Sequence, residues 1–202
     1  MLAIFKREFK SYFQNVIGWL FVAALLAVYG LYFYVYNLKN GYPYISYDLN
    51  GIGFIMMIAV PILTMRSLSD EKKTKTDQLM LTSPVSVGRI VAGKYFAMAA
   101  VYTIVIALFA LSPLVLSIYG KVALSEAYVA LFGYWLYGLS CIAVGLFISS
   151  ISESVIISAI LTFTALFLSY MMQSITGLIS SSGNLLTKVL NCFDLYTPFE
   201  NF

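Results

Sequence analysis

Long apolar segments of membrane-spanning length leave this chain few ways to fold, and one long polar stretch, residues 66–94, interrupts them. A span needs about 20 apolar residues in a row. Inside lipid the backbone must satisfy its own hydrogen bonds, so such segments are helices. Composition agrees: 61% of residues are hydrophobic and only 10% charged, against about 25% charged in an ordinary soluble domain. A soluble core of this size has no use for that much apolar surface. The solvent is lipid, and the fold class is an all-α polytopic membrane protein.

The same composition excludes several chemistries. There is no histidine, which removes the commonest metal ligand and general base. No Gly-x-Ser-x-Gly elbow, no paired membrane acids and no metal-ligand cluster occur, so an intramembrane enzyme lacks its parts. The net charge is +3 without a basic tract, so nucleic acid is not an expected partner. Cys141 and Cys192 lie far apart in different segments and read as free or lipid-buried thiols.

Along the chain, Leu2, Ile4, Phe5, Phe9 and Phe13 alternate with Lys6, Arg7, Glu8 and Lys10. That pattern fits an interfacial helix lying along the membrane. The apolar run after it is too long for a signal core and no small-residue cleavage site follows, so it is a retained first span, 16–36. Residues 37–50 read as a headgroup-level loop, whose tyrosines Tyr42, Tyr44 and Tyr47 form a belt with Tyr34 and Tyr36. The second span is 51–65, with Pro61 expected to kink or break it near its exit. The third is 95–118, with Pro113 near its end. The fourth is 127–149, carrying the small residues Gly133, Gly138, Ser140, Ala143 and Gly145, which permit close helix approach in lipid. Residues 150–154 form a tight turn, with Ser150 and Glu153 as a capping box for the fifth span, 155–173. In the tail, 174–202, residues 175–183 are rich in serine and glycine. Leu185, Leu186, Val189, Leu190 and Phe193 then form a helical apolar face too short to span, an external re-entrant or interfacial segment. The spans hold few ionisable groups, which argues against an ion-coupled carrier with intramembrane acids.

Nine of the twelve lysines and arginines fall in the N-terminal lead and in 66–94; Lys39, Lys121 and Lys188 fall on the other side. The positive-inside rule then places the N-terminus and the polar stretch in the cytoplasm and the tail outside. Within that stretch, Thr74 and Asp77 fit a capping pattern, and Asp77 sits at the positive end of the helix dipole. Gln78, Leu79, Met80 and Leu81 continue as a short helix with exposed apolar residues. Ser83 followed by Pro84 marks the start of a second helix, which leads through Arg89 and Lys94 into the third span. A short capped helix at a loop tip suits a groove on a soluble partner, and a rigid continuation into the spans can transmit motion.

The run Glu71-Lys72-Lys73-Thr74-Lys75-Thr76-Asp77-Gln78-Leu79-Met80-Leu81-Thr82-Ser83-Pro84-Val85, followed by Gly93-Lys94-Tyr95-Phe96, resembles the signature of the type-2 exporter permeases of ATP-binding-cassette (ABC) transporters. Lys75 stands where that signature has glycine, and Asp77 where it more often has glutamate. The resemblance covers nearly the whole chain and is nearest to the gliding-motility and sodium- or drug-efflux-like subgroup. It implies six spans, so five predicted transmembrane helices leave the sixth missing and the 202 residues read as a partial permease domain. It implies a cytoplasmic coupling loop, 66–94, docking an ABC ATPase dimer through Thr74, Asp77, Gln78, Leu79, Met80, Leu81 and Pro84, with Arg66, Glu71 and Lys94 at the loop base. It implies a second permease copy or paralogue, no catalytic residue and no cofactor in this chain, ATP and magnesium belonging to the partner. The plasma membrane is the implied location and export by alternating access the implied function. An ATP-independent channel or secondary carrier, and a membrane scaffold whose loop only recruits a partner, are the competing readings. On the expected topology, a Lys73→Cys variant in intact cells should react only with a membrane-permeant thiol reagent; reaction with an impermeant one would overturn it.

Overall fold

In the computed structural model, residues 2–42, 45–73, 86–119 and 123–179 are described, and every regular element among them is helical. The elements are α1 (Leu2–Gln14), α2 (Val16–Phe33) running into a π-helical segment (Tyr34–Lys39), α3 (Ser46–Thr64), α4 (Ser69–Lys73), α5 (Val87–Phe109), α6 (Ser112–Tyr119), α7 (Leu124–Ile151) and α8 (Val155–Ile179). Four of the candidate spans are long and apolar enough to cross a membrane: Val16–Lys39, Asp48–Lys72, Val87–Ile118 and Leu124–Ile151. In α8 the apolar stretch among the described side chains, Val155–Met171, is shorter. This is the polytopic all-helical architecture expected from composition.

α1 is a separate helix, because Asn15 breaks the chain in an extended conformation. Its apolar residues Phe9, Tyr12 and Phe13 pack on the core while Lys6, Arg7 and Lys10 stay exposed. The corner is tight. A Cβ on Gly18 would lie 2.3 Å from the Tyr12 carbonyl oxygen, so only glycine lets α2 leave so close to α1. Trp19 Nε1 donates to the Phe13 carbonyl at 2.9 Å and its ring meets Phe13 edge-on.

α3 sits at the centre, packed by α2, α7 and α8. Its span window is 56% buried, against 28% for the first span. Ile52, Met56, Val60 and Leu63 recur at helical spacing on its inner faces and are fully buried. They meet Met98, Val101, Tyr102 and Val105 of α5 and Tyr137, Cys141 and Ile142 of α7 in one core. Cys141 is a free, buried thiol. Trp19, Leu31, Phe132, Phe147, Ile156 and Ile160 point outward, as residues facing lipid do.

Lipid tails are as apolar as leucine, so helices here gain little from hydrophobicity and must fit by shape. The glycines of α7 provide that fit. A Cβ on Gly138 would lie 2.2 Å from Tyr102 Cζ, and one on Gly145 would lie 2.5 Å from Thr64 Oγ1. The Tyr102 ring fills the first notch and its hydroxyl donates to the Tyr134 carbonyl at 2.8 Å. Gly133, Gly138 and Gly145 are buried whereas Ala143 is exposed, so the small residues of α7 divide between two faces rather than forming one stripe.

The boundaries differ from the sequence reading at four places. First, α3 begins at Ser46, and the connection from α2 is correspondingly shorter, turning at Gly41 with φ +69. Asp48, expected in a headgroup loop, is instead fully buried in the first turn of α3 and accepts from Asn37 Nδ2 of the π-helical segment. An acid in the first turn of a helix meets the positive end of its dipole, which favours the early start. Second, α3 continues through Pro61 and ends one residue after Leu63, where Met65 N–H donates to the Pro61 carbonyl at 2.8 Å. Third, the third span is two helices. Pro113 has no N–H for the Phe109 carbonyl and its ring crowds that group; the Ser112 hydroxyl donates to it instead at 2.7 Å and also bonds the Tyr29 hydroxyl. Fourth, Ser150 does not cap the fifth span. It lies inside α7, donating to the Phe147 carbonyl at 2.6 Å, while α8 starts at Val155, the expected start of the fifth span. The helix that should begin at Ser83 and Pro84 falls outside the described residues up to Val85; α5 starts at Val87 after an extended Ser86 and continues through Arg89 and Lys94 as expected. The serine- and glycine-rich stretch is helical as far as Ile179; Cys192 and the apolar face Leu185, Leu186, Val189, Leu190 and Phe193 lie outside the described residues.

Gly138→Ala should lower the unfolding free energy of the detergent-solubilised protein by about 1–3 kcal/mol, the usual cost of overpacking. Ala143→Leu, on the exposed face of the same helix, should change it little. Thermal melts of the two variants in one detergent check this, and equal melts would refute the notch.

Candidate functional site

The polar stretch leaves the bundle where α3 ends and returns through α5. Its base is built from five elements. After Thr64 the chain turns, with Ser67 N–H donating to the Thr64 carbonyl at 3.0 Å, and then forms the short α4. The Ser69 hydroxyl donates to the Met65 carbonyl, bracing that turn.

Lys94 of α5 lies beneath this turn, only 2% exposed. Its ammonium donates to the Ser67 carbonyl at 2.9 Å and to Glu71 Oε1 at 2.7 Å, and lies 3.3 Å from Glu8 Oε1 of α1. An ammonium has three donors, and here three acceptors surround it. Arg7 completes the cluster, 2.8 Å from Glu8 Oε1 and 3.9 Å from Glu71 Oε1. Two cations face two carboxylates, so the four side chains carry no net formal charge. A buried cation is tolerated only when paired and hydrogen-bonded, and this one makes two hydrogen bonds and pairs with two carboxylates. The arrangement joins α1, the base of the polar stretch and the third span at one point.

α7 closes the other side. Ser149, fully buried, accepts from the N–H groups of Leu68 and Ser69, each at 3.2 Å. The Lys72 ammonium donates to the Ser150 carbonyl at the end of α7.

Of the loop-base residues expected from sequence, the structure brings Glu71 and Lys94 together. Arg66 is apart from them: it pairs with Asp70 one turn on, 3.6 Å away, with both side chains largely in solvent. Such a pair contributes little. The expected docking residues Thr74, Asp77, Gln78, Leu79, Met80, Leu81 and Pro84 lie outside the described residues. Four participants were not foreseen: Arg7, Glu8, Lys72 and Ser149. Glu8 carried a usable signal, being the one acid in an otherwise basic lead. Ser149 carried none.

The few ionisable groups of the bundle include two buried ones just beyond the expected span boundaries. Lys94 and Asp48 are both enclosed, one at each end of the bundle, each with its own partners. No acid occurs on α3 between Asp48 and the turn at its other end, so the two do not form a relay. Among the described residues no group of three histidine, cysteine or acidic side chains could hold a metal ion.

Lys94→Met should destabilise the protein by about 3 kcal/mol, the lower end for breaking a buried ion pair, because Glu8 and Glu71 keep some contact with solvent and with Arg7. Adding Glu8→Gln and Glu71→Gln should restore part of that loss, since the uncompensated carboxylates are then gone. Unfolding curves of the three proteins in one detergent decide it; a Lys94→Met protein as stable as its parent would contradict the pairing.

A model of the family described as ABC-2 family transporter protein matches residues 32–202. No curated protein and no solved structure gives a match. The matched stretch runs from the first span through the polar stretch and the remaining helices, and the chain belongs to the ABC-2 family of transporter proteins.

Proposed function

We propose that this chain is the membrane-spanning permease subunit of an ABC exporter, of the gliding-motility and sodium- or drug-efflux-like subgroup, and that it moves its cargo by alternating access. The observation that carries this reading is the base of the 66–94 stretch. A transporter membrane domain is not itself a catalytic domain, so its energy has to arrive through a mechanical connection. Here the base of the segment, at Ser67 and Glu71, is held by Lys94 together with Glu8, and α5, which carries Lys94, continues into the membrane. A force applied at that base is passed directly to the spans it holds.

The engine is a separate cytoplasmic ABC ATPase dimer, which holds the ATP and magnesium; this chain carries no cofactor. The coupling helix, about 74–82, inserts in a groove of that subunit, with Leu79, Met80 and Leu81 as apolar contacts and Thr74, Asp77, Gln78 and Pro84 setting its caps and its break. A second permease, a copy or a paralogue, completes the transport unit in the plasma membrane. The N-terminus and α1 are on the cytoplasmic side, as the distribution of lysine and arginine requires. Nucleic acid has no role. Closing of the ATPase dimer on ATP favours one of two permease states, and its differential affinity for them sets how far the equilibrium moves.

Affinity purification from the native membrane in mild detergent tests this. A stoichiometric soluble ATPase should co-purify with the unsubstituted protein and be lost with Leu79→Asp, while the variant stays inserted. Retention of the ATPase by Leu79→Asp would remove the docking role from this helix, and purification without any ATPase would move the protein to a channel, carrier or scaffold.

A further inference from the structure

The second and third spans flank the polar stretch and are joined to it by the chain. α7 is not: Ser149 is 80 residues from Ser69 in sequence. Yet α4 is tied to α7 at two points. A short helix leaves its first N–H groups without partners inside the helix, and for α4 the N–H groups of Leu68 and Ser69 both end on Ser149 Oγ. The last carbonyls of α7 lack partners in the same way, and the Lys72 ammonium takes that of Ser150. The cation also lies at the negative end of the α7 dipole. Each helix thus completes the other's terminus.

The turn that follows is closed as well. The Ser152 hydroxyl, buried, donates to the Ser154 carbonyl at 2.9 Å, and Ser158 N–H returns to the same carbonyl at 2.9 Å. α7 and α8 therefore leave this end as one hairpin. α7 has 28 residues, about 42 Å at 1.5 Å per residue, so whatever moves its end is felt across the full depth of the bundle. α3 packs against both helices of the hairpin, with Thr64 set in the notch at Gly145; the two polar ties add a direct connection from the loop base to the hairpin.

We infer that Ser149 and Lys72 are positioning residues that carry movement of the loop base into the α7–α8 hairpin, so that the fourth and fifth spans shift together with the second and third. The inference rests on the proposed coupling to an ATPase. It adds a route that the chain connectivity does not supply: the force divides at α4, one branch passing through Lys94 to α1 and α5, the other through Ser149 and Ser150 to α7 and α8.

The test uses the intact complex of permease and ATPase in lipid nanodiscs, with a reporter thiol introduced by Glu153→Cys on the exposed α7–α8 turn or by Lys10→Cys on the exposed face of α1. The maleimide labelling rate is read at each position by peptide mass spectrometry, with and without ATP and vanadate. In the otherwise unsubstituted complex, trapping should change both rates by about fivefold or more, the lower end of ordinary coupling between sites; with Ser149→Ala, and separately with Lys72→Met, the response at position 153 should fall below about twofold while that at position 10 persists. Lys72→Met keeps the aliphatic stem, so it tests the tie even if the two unpartnered N–H groups left by Ser149→Ala impair folding. An undiminished response at position 153 in both variants would overturn the inference. So would loss of the response at both positions, which would make the ties part of loop folding and not of transmission, and so would an unsubstituted complex whose position 153 never responds. If instead no ATPase accompanies the unsubstituted permease, the functional reading fails first, and that outcome is visible before any variant is made.

Discussion

A single ammonium group sets the geometry at the loop end of this molecule. Lys94 enters the membrane on α5, and a cation enclosed there must find acceptors. It finds a backbone carbonyl from the turn after α3, a carboxylate from α4 and a carboxylate from α1. Those contacts place three separate segments with respect to one helix. The N-terminal helix is thereby docked under the loop instead of lying anywhere along the interface, and the loop leaves the bundle from a supported base. The more exposed Arg66–Asp70 pair a few residues away shows the contrast: an ion pair open to solvent contributes little.

Elsewhere the bundle is held by shape. Apolar side chains face both the core and the lipid, so burial alone does not favour one helix pairing over another. Notches do. Tyr102 lies in the gap left by Gly138, Thr64 in that left by Gly145, and Tyr12 closes on Gly18. Polar groups then mark the ends: Asn37 with Asp48 and Tyr29 with Ser112 at one end, Lys94 and Ser149 at the other. Between those ends the third and fourth spans are also joined by hydrogen bonds, from the Tyr102 hydroxyl to the Tyr134 carbonyl and from Trp135 Nε1 to the Thr103 hydroxyl, so polar contacts and notches together set which faces meet.

Much of the helical plan was legible in the chain. The amphipathic lead, the long apolar runs and the position of the polar stretch follow from residue type and spacing. What misled were local signals read without their neighbours. Ser150 and Glu153 have capping-box spacing, but α7 runs on past Ser150, whose hydroxyl turns back to the Phe147 carbonyl within the same helix. Asp48 looked like a loop acid because tyrosines, glycine and proline surround it; Asn37, eleven residues away, gives it a partner that spacing does not announce. Pro113 was seen, but the split of the third span also needed Ser112 to take over the Phe109 carbonyl.

Residue composition decided the solvent, the helical class and the place where the polar stretch interrupts the spans, because lipid admits no unpaired backbone and charge concentrates where water is. Folding in three dimensions decided which helix sits in the centre, which partners Lys94 takes and that a serine on α7 completes the start of α4. The physical reason is the same in each case. Those contacts join groups 23 to 86 residues apart, and an apolar helix surface looks alike whether it turns to lipid or to another helix, so no periodicity along the chain can say which faces will meet.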